Sequence, residues 1–270
     1  MRVINRCELF VVLVLAVLVS VSPVAAQHGG HAGHHGPAAR DLGHVNPGLV
    51  GLSAERLERL SAGMQQMVDD GKVAGVVTML ARHGKVAYVD VAGVQDVESM
   101  TPMAEDSIFL IYSMSKPITG VALMMLYEEG KFRLDDPVSD YIPQFASLKV
   151  HTGEFAGVSP ILEAAARPMT MRDLMTHTSG LAYSLRDEDP VSKMYQDQGV
   201  LNPNASLQEM IDKLARLPLR TQPGTGFFYS ISVDVQGYLV ETLSGQPFDE
   251  FLLNRIFEPL GMMDTGFFVP

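Results

Sequence analysis

The sequence predicts an α+β fold from three observations. Two runs, at residues 75–81 and 86–92, are predicted as strands joined by His83-Gly84, which is typical of a hairpin turn. A long apolar helix is predicted after Ser113, and further helical patterns follow it to the end of the chain. With 270 residues, 47% of them hydrophobic, the chain can form one large α/β domain with a helical insertion, or two small domains.

The first residues have the pattern of a secretory signal peptide. Arg2 and Arg6 precede an apolar run at 9–21, and a small-residue cleavage site ends at Ala26. We therefore expect residues 1–26 to be removed and the protein to be secreted or periplasmic, with no membrane span after cleavage. An uncleaved anchor is the alternative, although the run is short for one. Cys7, the only cysteine, lies inside this segment, so the mature chain would have no disulfide.

A histidine-rich, glycine-rich tract follows, and we expect residues 27–50 to form a disordered linker. Imidazole nitrogens in such a tract can also bind Zn²⁺, Cu²⁺ or Ni²⁺, so weak metal capture without a catalytic role is the alternative. The weak metal candidates are His28, His31, His34 and His35.

The remaining residues, 51–270, are predicted as the folded domain, with a helical subdomain at about 138–228. Helix-start and helix-stop signals give the elements in order. They predict a helix capped by Ser53 that ends near Gly71, the hairpin, the Ser113 helix, a short helix started by Asp135-Asp136-Pro137, a helix opened by a Thr170/Asp173 capping box, and helices at 207–217, 233–243 and 248–256.

The segment around Ser113 has the spacing of a serine nucleophile that uses a lysine base. Lys116 follows Ser113 at i+3, so both side chains project from one face at the head of a helix. Unpaired N–H groups and the helix dipole there favour the negative charge of attack on a carbonyl. The apolar run at 121–126 predicts a helix that is buried on every side, and Gly130 is its stop signal.

The S-x-x-K spacing alone is a weak signal, because both residue types are common. The alternative is a serine that caps the helix beside a solvated lysine. A helix buried all round fits a solvated Lys116 poorly, which favours the catalytic interpretation.

Five motifs in a fixed order make the chain, from about residue 54 to its end, resemble the serine β-lactamase and penicillin-binding protein superfamily. The resemblance is to the branch that holds class C β-lactamases, DD-peptidases and β-lactamase-like carboxylesterases. The motifs are residues 113–117 (SMSKP), 130–138 (GKFRLDDPV), 174–181 (LMTHTSGL), 223–230 (PGTGFFYS) and 259–267 (PLGMMDTGF). The resemblance implies an α/β sandwich with a helical subdomain.

The resemblance also implies three catalytic residues. Ser113 would be the nucleophile, Lys116 a base, and Tyr229 the second proton carrier. A phenol has an ordinary pKa of about 10, so it needs an adjacent cation to act as a base near neutral pH. The alternative for Tyr229 is a packed aromatic residue after a Pro-Gly turn.

Two departures from the family pattern matter. Ile231 stands where class C β-lactamases usually have an asparagine, and isoleucine cannot bind the side-chain amide of a penicillin or cephalosporin. We therefore expect an ester substrate before a β-lactam. Ser232 or Asp234 could take a polar role instead, but a helix start is the favoured interpretation.

The second departure is the absence of the family's third motif, which consists of a Lys or His, a small residue and a glycine on a central strand. This motif normally lies well beyond residue 270, so we expect the chain to be C-terminally truncated relative to the family and to lack the C-terminal strands. That strand usually supplies one oxyanion donor, and the N–H of Ser113 supplies the other. The segment at 177–180 follows a helix, not a strand, and is not this motif.

The leading hypothesis is thus a serine hydrolase that forms an acyl-enzyme at Ser113, with a small-molecule ester or amide substrate, β-lactams and peptides included, and no cofactor. The alternatives are a penicillin-recognising binding protein and an inactive fragment. A Ser-His-Asp triad with His177 is a minor alternative. The net charge of -11 without basic runs excludes a typical nucleic-acid partner.

Overall fold

The computed structural model describes residues 42–153, 161–183 and 189–268. These divide into two compact units, one ending at Leu110 and the other beginning at Ile111. The candidate metal histidines and the signal segment lie outside the described residues.

The first unit contains the predicted helix and hairpin. Helix α1 spans Ala54–Asp69, and the Ser53 hydroxyl accepts the N–H of Arg56 at its start, as the capping signal predicts. Strands β1 (Gly75–Arg82) and β2 (Lys85–Asp96) form an antiparallel hairpin, as predicted. A short strand β3 (Thr101–Pro102), which the sequence did not indicate, pairs with β2.

The predicted linker at 27–50 was too long at its C-terminal end. Val45 donates its N–H to Val86 O at 2.9 Å, and Pro47–Val50 form a 3₁₀ turn capped by Asn46. Val86 of β2 also donates its N–H to Gly43 O at 3.1 Å. Residues 43–50 therefore belong to the folded unit, because Gly43 and Val45 pair with β2 and the turn that follows them leads into α1.

The second unit is mainly helical. After a 3₁₀ turn at Tyr112–Met114 come α2 (Ser115–Glu128), β4 (Lys149–Thr152), β5 (Ile161–Ala164), α3 (Met171–Met175), α4 (Pro190–Asp197), α5 (Leu207–Leu214), α6 (Ser232–Ser244), α7 (Phe248–Leu252), a π-helical turn at Leu253–Phe257, and α8 (Glu258–Leu260). Strands β4 and β5 form an antiparallel pair inside the region predicted to be helices and loops. The short helix predicted after Pro137 is a single 3₁₀ turn, Val138–Asp140.

The core of this unit forms where α2 packs against α6. Leu123 and Leu126 on α2 and Leu239 on α6 are buried with at most 1% of their surface exposed. The prediction that α2 is buried on every side was wrong, because Val121 is 52% exposed. Helix α2 therefore buries one face only, and its apolar composition overstates its burial.

Candidate active site

Ser113 lies in the 3₁₀ turn immediately before α2, and Lys116 lies in the first turn of that helix. Lys116 Nζ donates a hydrogen bond to Ser113 Oγ at 2.7 Å, as the i+3 spacing predicts for one helix face. Tyr112, the residue before the serine, has φ +44°, which is uncommon for a residue with a side chain. The serine is thus presented by a tight, locally strained turn.

Tyr229 reaches the same oxygen from the other end of the sequence. It lies in the segment that leads into α6, and its Oη is 2.5 Å from Ser113 Oγ. The ammonium group of Lys116 lies over the Tyr229 ring, 4.7 Å from its centroid, and Tyr183 contacts that ring edge-on at 5.4 Å. The structure therefore brings together the three residues that the sequence singled out.

This arrangement places two proton-carrying groups on one hydroxyl. Lys116 donates to Ser113 Oγ, and the hydroxyl groups of Ser113 and Tyr229 share a second hydrogen bond in which either can be the donor. When Tyr229 is a phenolate, Ser113 is the donor, and loss of its proton to the phenolate oxygen would leave a nucleophilic alkoxide stabilised by the ammonium group. The geometry is therefore competent for proton transfer in both directions between Ser113 and Tyr229.

Backbone hydrogen bonds hold the Tyr229 segment against the segment that contains His177. Phe228 donates its N–H to His177 O at 2.8 Å, and Ile231 donates to Ala182 O at 3.2 Å. Gly180 between them has φ +83°, and a Cβ there would lie 2.2 Å from Thr221 O. Only glycine fits this close approach to the Thr221 backbone. The hydrogen bond from Phe228 to His177 pairs the LMTHTSGL and PGTGFFYS motifs directly.

His177 is the residue whose role sequence reasoning missed. Its ring stacks on Tyr229 with centroids 5.1 Å apart and planes 19° apart, and Phe227 meets it edge-on at 5.7 Å. Its Nδ1 accepts the N–H of Ser230 at 3.2 Å, so this nitrogen is engaged with the tyrosine segment. The contacts place His177 behind Tyr229 and do not give it the position of a triad base. His177 and Tyr229 lie far apart in the sequence. The sequence therefore shows the LMTHTSGL motif that contains His177 but gives no sign that its ring stacks on Tyr229.

Ile231, Ser232 and Asp234, which follow Tyr229 where the chain departs from the family pattern, have three different environments. Ile231 is fully buried in the core, so its side chain does not face a substrate. Ser232 begins α6, but its hydroxyl contacts Ser179 at 2.8 Å and Ser230 at 2.7 Å, a polar role that the favoured helix-start interpretation did not include. Asp234 lies in the first turn of α6, where burial raises the pKa of its carboxyl to about 6 although Lys116 opposes the rise.

Metal-binding clusters and membrane spans are both absent from the described part of the chain. Within it, no group of three or more His, Cys, Asp or Glu side chains could hold a metal ion. In the same residues, no helix is both long enough and apolar enough to cross a bilayer.

Comparison with known proteins tests the resemblance. The Beta-lactamase family model matches residues 60–270. The chain belongs to the Beta-lactamase family. The family prediction is thereby confirmed.

Three relatives show which members of the Beta-lactamase family the chain is similar to. It is 36% identical over 213 residues to Protein Rv1367c of Mycobacterium tuberculosis, covering 79% of this chain and 52% of that protein. It is 34% identical over 229 residues to Esterase EstB of Burkholderia gladioli, covering 83% and 55%. The solved structure of EstCE1, a hydrolase with promiscuous acyltransferase activity, superposes with a TM-score of 0.65 at 31% identity, covering 77% and 52%.

The solved structure confirms the predicted fold class as that of the Beta-lactamase family. The chain spans about half the length of the relatives it matches. The activity of the whole protein is therefore a proposal.

Proposed function

We propose that the protein is a serine hydrolase of the Beta-lactamase family that forms an acyl-enzyme at Ser113 and prefers small-molecule esters to β-lactams. The observation that carries this proposal is the double contact on Ser113 Oγ, with Lys116 Nζ at 2.7 Å and Tyr229 Oη at 2.5 Å. An isolated helix-capping serine would not need a phenol and an ammonium group on one oxygen.

Acylation follows from these contacts. Tyr229 acts as a phenolate, a form that the adjacent Lys116 ammonium group favours. Ser113 Oγ attacks the ester carbonyl while the phenolate oxygen of Tyr229 takes the serine proton. As the tetrahedral intermediate collapses, the bond to the alcohol oxygen breaks, and Tyr229 returns the proton to that oxygen. Lys116 stabilises the negative charge on Oγ during attack and holds the serine in place.

Deacylation repeats the steps with water. Tyr229 takes a proton from the water that attacks the acyl carbonyl, and it returns the proton to Ser113 Oγ when the acyl bond breaks. An alcohol in place of this water would give acyl transfer, and the similar hydrolase EstCE1 is described as having promiscuous acyltransferase activity.

Two features favour esters over β-lactams. Ile231 is buried in the core, so the position where an asparagine would bind a β-lactam side-chain amide offers no polar group to a substrate. The surface beside Tyr229 includes Phe227, which is 66% exposed, and an apolar acyl or alcohol group can contact it. Esterase EstB is a relative whose name states that activity.

The test compares p-nitrophenyl butyrate with a chromogenic cephalosporin, using the protein and its Ser113→Ala variant. We expect ester turnover that Ser113→Ala abolishes, with the Ser115→Ala variant as a matched control because Ser115 is an exposed hydroxyl two positions away. Faster cephalosporin turnover would overturn the ester preference. A fluorescent penicillin that stays bound through Ser113, without ester turnover, would favour a penicillin-recognising binding protein instead.

We also propose that the protein is exported, on the signal-peptide pattern of residues 1–26. Expression of the full chain with a tag at its C-terminal end, followed by fractionation and N-terminal sequencing, tests this. A mature form that starts at Gln27 outside the cytoplasm is expected, and an unprocessed cytoplasmic chain would contradict export.

A further inference from the structure

His177 is held by more contacts than a loop residue needs. Its backbone has φ +55°, in the left-handed region that residues with side chains rarely adopt, and its ring stacks on Tyr229 and contacts Phe227 edge-on. The imidazole therefore covers one face of the Tyr229 ring and limits where that ring can lie.

A line of buried hydroxyl groups fixes the imidazole from behind. Ser230 Oγ lies 3.3 Å from His177 Nδ1, Ser232 Oγ lies 2.7 Å from Ser230 Oγ, and Ser179 Oγ lies 2.8 Å from Ser232 Oγ. At the far end, the N–H of Leu181 donates to Ser179 Oγ at 3.2 Å. All three serines are at most 1% exposed.

One direction of donation satisfies the whole line. Leu181 donates to Ser179, and each serine hydroxyl then donates to the next until Ser230 donates to Nδ1. Because the N–H of Ser230 also points at Nδ1, that nitrogen must be an acceptor, and the ring proton belongs on Nε2. The line thus requires a neutral imidazole.

The surroundings favour the neutral form. Burial lowers the pKa of His177, and the positive charge of Lys116 on α2 lowers it further. Ionisable groups on the neighbouring elements include Tyr229 at the stacked face, Asp234 on α6, whose carboxyl interacts with Lys116, and Asp173 on α3, which is paired with Arg167. The same helices also carry Arg172, which is paired with Asp135, and Tyr238 and Glu241.

We propose that His177 is a positioning residue for Tyr229, an uncharged imidazole that holds the phenol ring against Ser113 and is itself held by a line of three serine hydroxyls. This inference rests on the proposed function, because Tyr229 is taken as the proton carrier. His177 would affect the rate by fixing the position of the Tyr229 hydroxyl, because a displacement of about 1 Å in a catalytic group can lower the rate about 100-fold.

The first experiment replaces the imidazole without straining the backbone. His177→Asn removes the stacked ring, and asparagine tolerates left-handed φ. The matched control is His83→Asn, since His83 has φ +53° in the hairpin turn, far from this chemistry in sequence. We expect kcat for p-nitrophenyl butyrate to fall about 10- to 100-fold in His177→Asn, with KM changed less than about threefold and His83→Asn like wild type.

A pH profile separates positioning from a merely structural role. Protonation of His177 would turn Nδ1 into a donor that faces the Ser230 N–H, and it would put a second positive charge near Lys116. The acidic limb of the wild-type kcat profile should therefore include the titration of His177, and in His177→Asn this limb should move to lower pH. An unchanged kcat and an unchanged acidic limb in folded His177→Asn would overturn the proposal.

A measurement that does not depend on catalysis tests the positioning role of His177 separately from the proposed hydrolase function. Long-range ¹H–¹⁵N NMR should show His177 mainly as the neutral Nε2–H tautomer at pH 6.5, and the Tyr229 ring resonances should shift in His177→Asn but not in His83→Asn. A histidine that titrates with an ordinary pKa, or unshifted Tyr229 resonances, would overturn the positioning role. If these signals are as expected but no ester is hydrolysed by wild type, the proposed function fails and the positioning role stands.

Discussion

Tyr229 Oη lies 2.5 Å from Ser113 Oγ, although 116 positions separate the two residues in the sequence. The contact joins the segment before α6 to the turn before α2, and these two helices pack through buried residues such as Leu123 and Leu239. The geometry of the proposed active site therefore depends on the helical core, since a shift of α6 against α2 would separate the phenol from the serine.

The first prediction concerns the Tyr229 hydroxyl. Tyr229→Phe removes one oxygen and keeps the ring, so it should lower kcat about 10²- to 10⁴-fold, the usual contribution of a general acid–base group, with a smaller change in KM. Steady-state hydrolysis of p-nitrophenyl butyrate measures this.

Tyr127→Phe is the control, because Tyr127 lies at the other end of α2 with its ring against Phe132. Wild-type kcat in Tyr229→Phe would show that Tyr229 is not the proton carrier and would leave Lys116 as the remaining base.

The second prediction concerns the exposed ring of Phe227. Its edge contact with His177 places it beside Tyr229, so Phe227→Ala should raise KM for a phenylacetyl or butyryl ester about three- to tenfold and leave KM for an acetyl ester nearly unchanged. A set of p-nitrophenyl esters of increasing acyl length tests this. Equal changes for every acyl group would place the ring away from the acyl site.

The third prediction concerns Asp173, which ties α3 to the segment that carries His177. Its carboxylate accepts hydrogen bonds from Arg167 at 2.7 and 2.9 Å, from the N–H and hydroxyl of Thr170, and from the hydroxyl of Thr178 at 3.0 Å. Arg167 is 44% exposed, so water can solvate it when Asp173 is removed, and the main loss is of the hydrogen bonds to the buried carboxylate. Asp173→Ala should cost about 1–3 kcal/mol in the free energy of unfolding, measured with urea.

The same residue predicts an acid dependence of stability. Burial acts to raise the pKa of Asp173, but the hydrogen bonds from Arg167, Thr170 and Thr178 outweigh burial and lower it below its ordinary 3.8. Its contribution is thus fully present above the unfolded pKa and is lost as pH falls through the folded pKa. Asp197→Ala removes an exposed i,i+4 pair with Lys193 and serves as the control. It should change the free energy of unfolding by at most about 0.5 kcal/mol both at neutral pH and below the folded pKa of Asp173. Equal losses in both variants would contradict this account.

The parts of the fold that were predictable from sequence depend on local chemistry. The Thr170/Asp173 capping box forms as predicted, and so do the hairpin turn at His83-Gly84 and the glycine stop at Gly130. Each signal involves residues a few positions apart, so its physics is complete within a short window. The contact between Ser113 and Lys116 is of this kind, since it spans one helical turn.

The parts that were missed depend on distant partners. Strand β5 is exposed along its length and shows no alternation of apolar and polar residues, so only its pairing with β4 defines it. Val121 is exposed although its neighbours are apolar, because composition does not determine which face meets α6. The stack of His177 on Tyr229 joins two motifs whose adjacency no spacing rule gives. The family resemblance predicted which motifs share the site, and the structure adds how they touch.

The last prediction concerns Ile231, where class C β-lactamases usually have asparagine. If the loss of that asparagine alone made the site an esterase, Ile231→Asn would restore cephalosporin turnover. The structure predicts otherwise, because the Ile231 side chain is fully buried in the core and its N–H is bound to Ala182 O. Ile231→Asn would bury an amide with no designed partner and remove apolar contacts, so it should cost about 3 kcal/mol or more in the free energy of unfolding.

Ile231→Val is the matched control, since it removes one methylene from the same place and should cost about 0.5–1.5 kcal/mol. Urea unfolding and cephalosporin hydrolysis are measured for both variants. A stable Ile231→Asn protein that hydrolyses the cephalosporin would mean that the asparagine side chain can turn from the core toward Ser113. The expected result, a destabilised protein with no such turnover, would mean that substrate preference depends on how the backbone between Tyr229 and α6 directs its side chains, and that exchanging one residue is insufficient to change it.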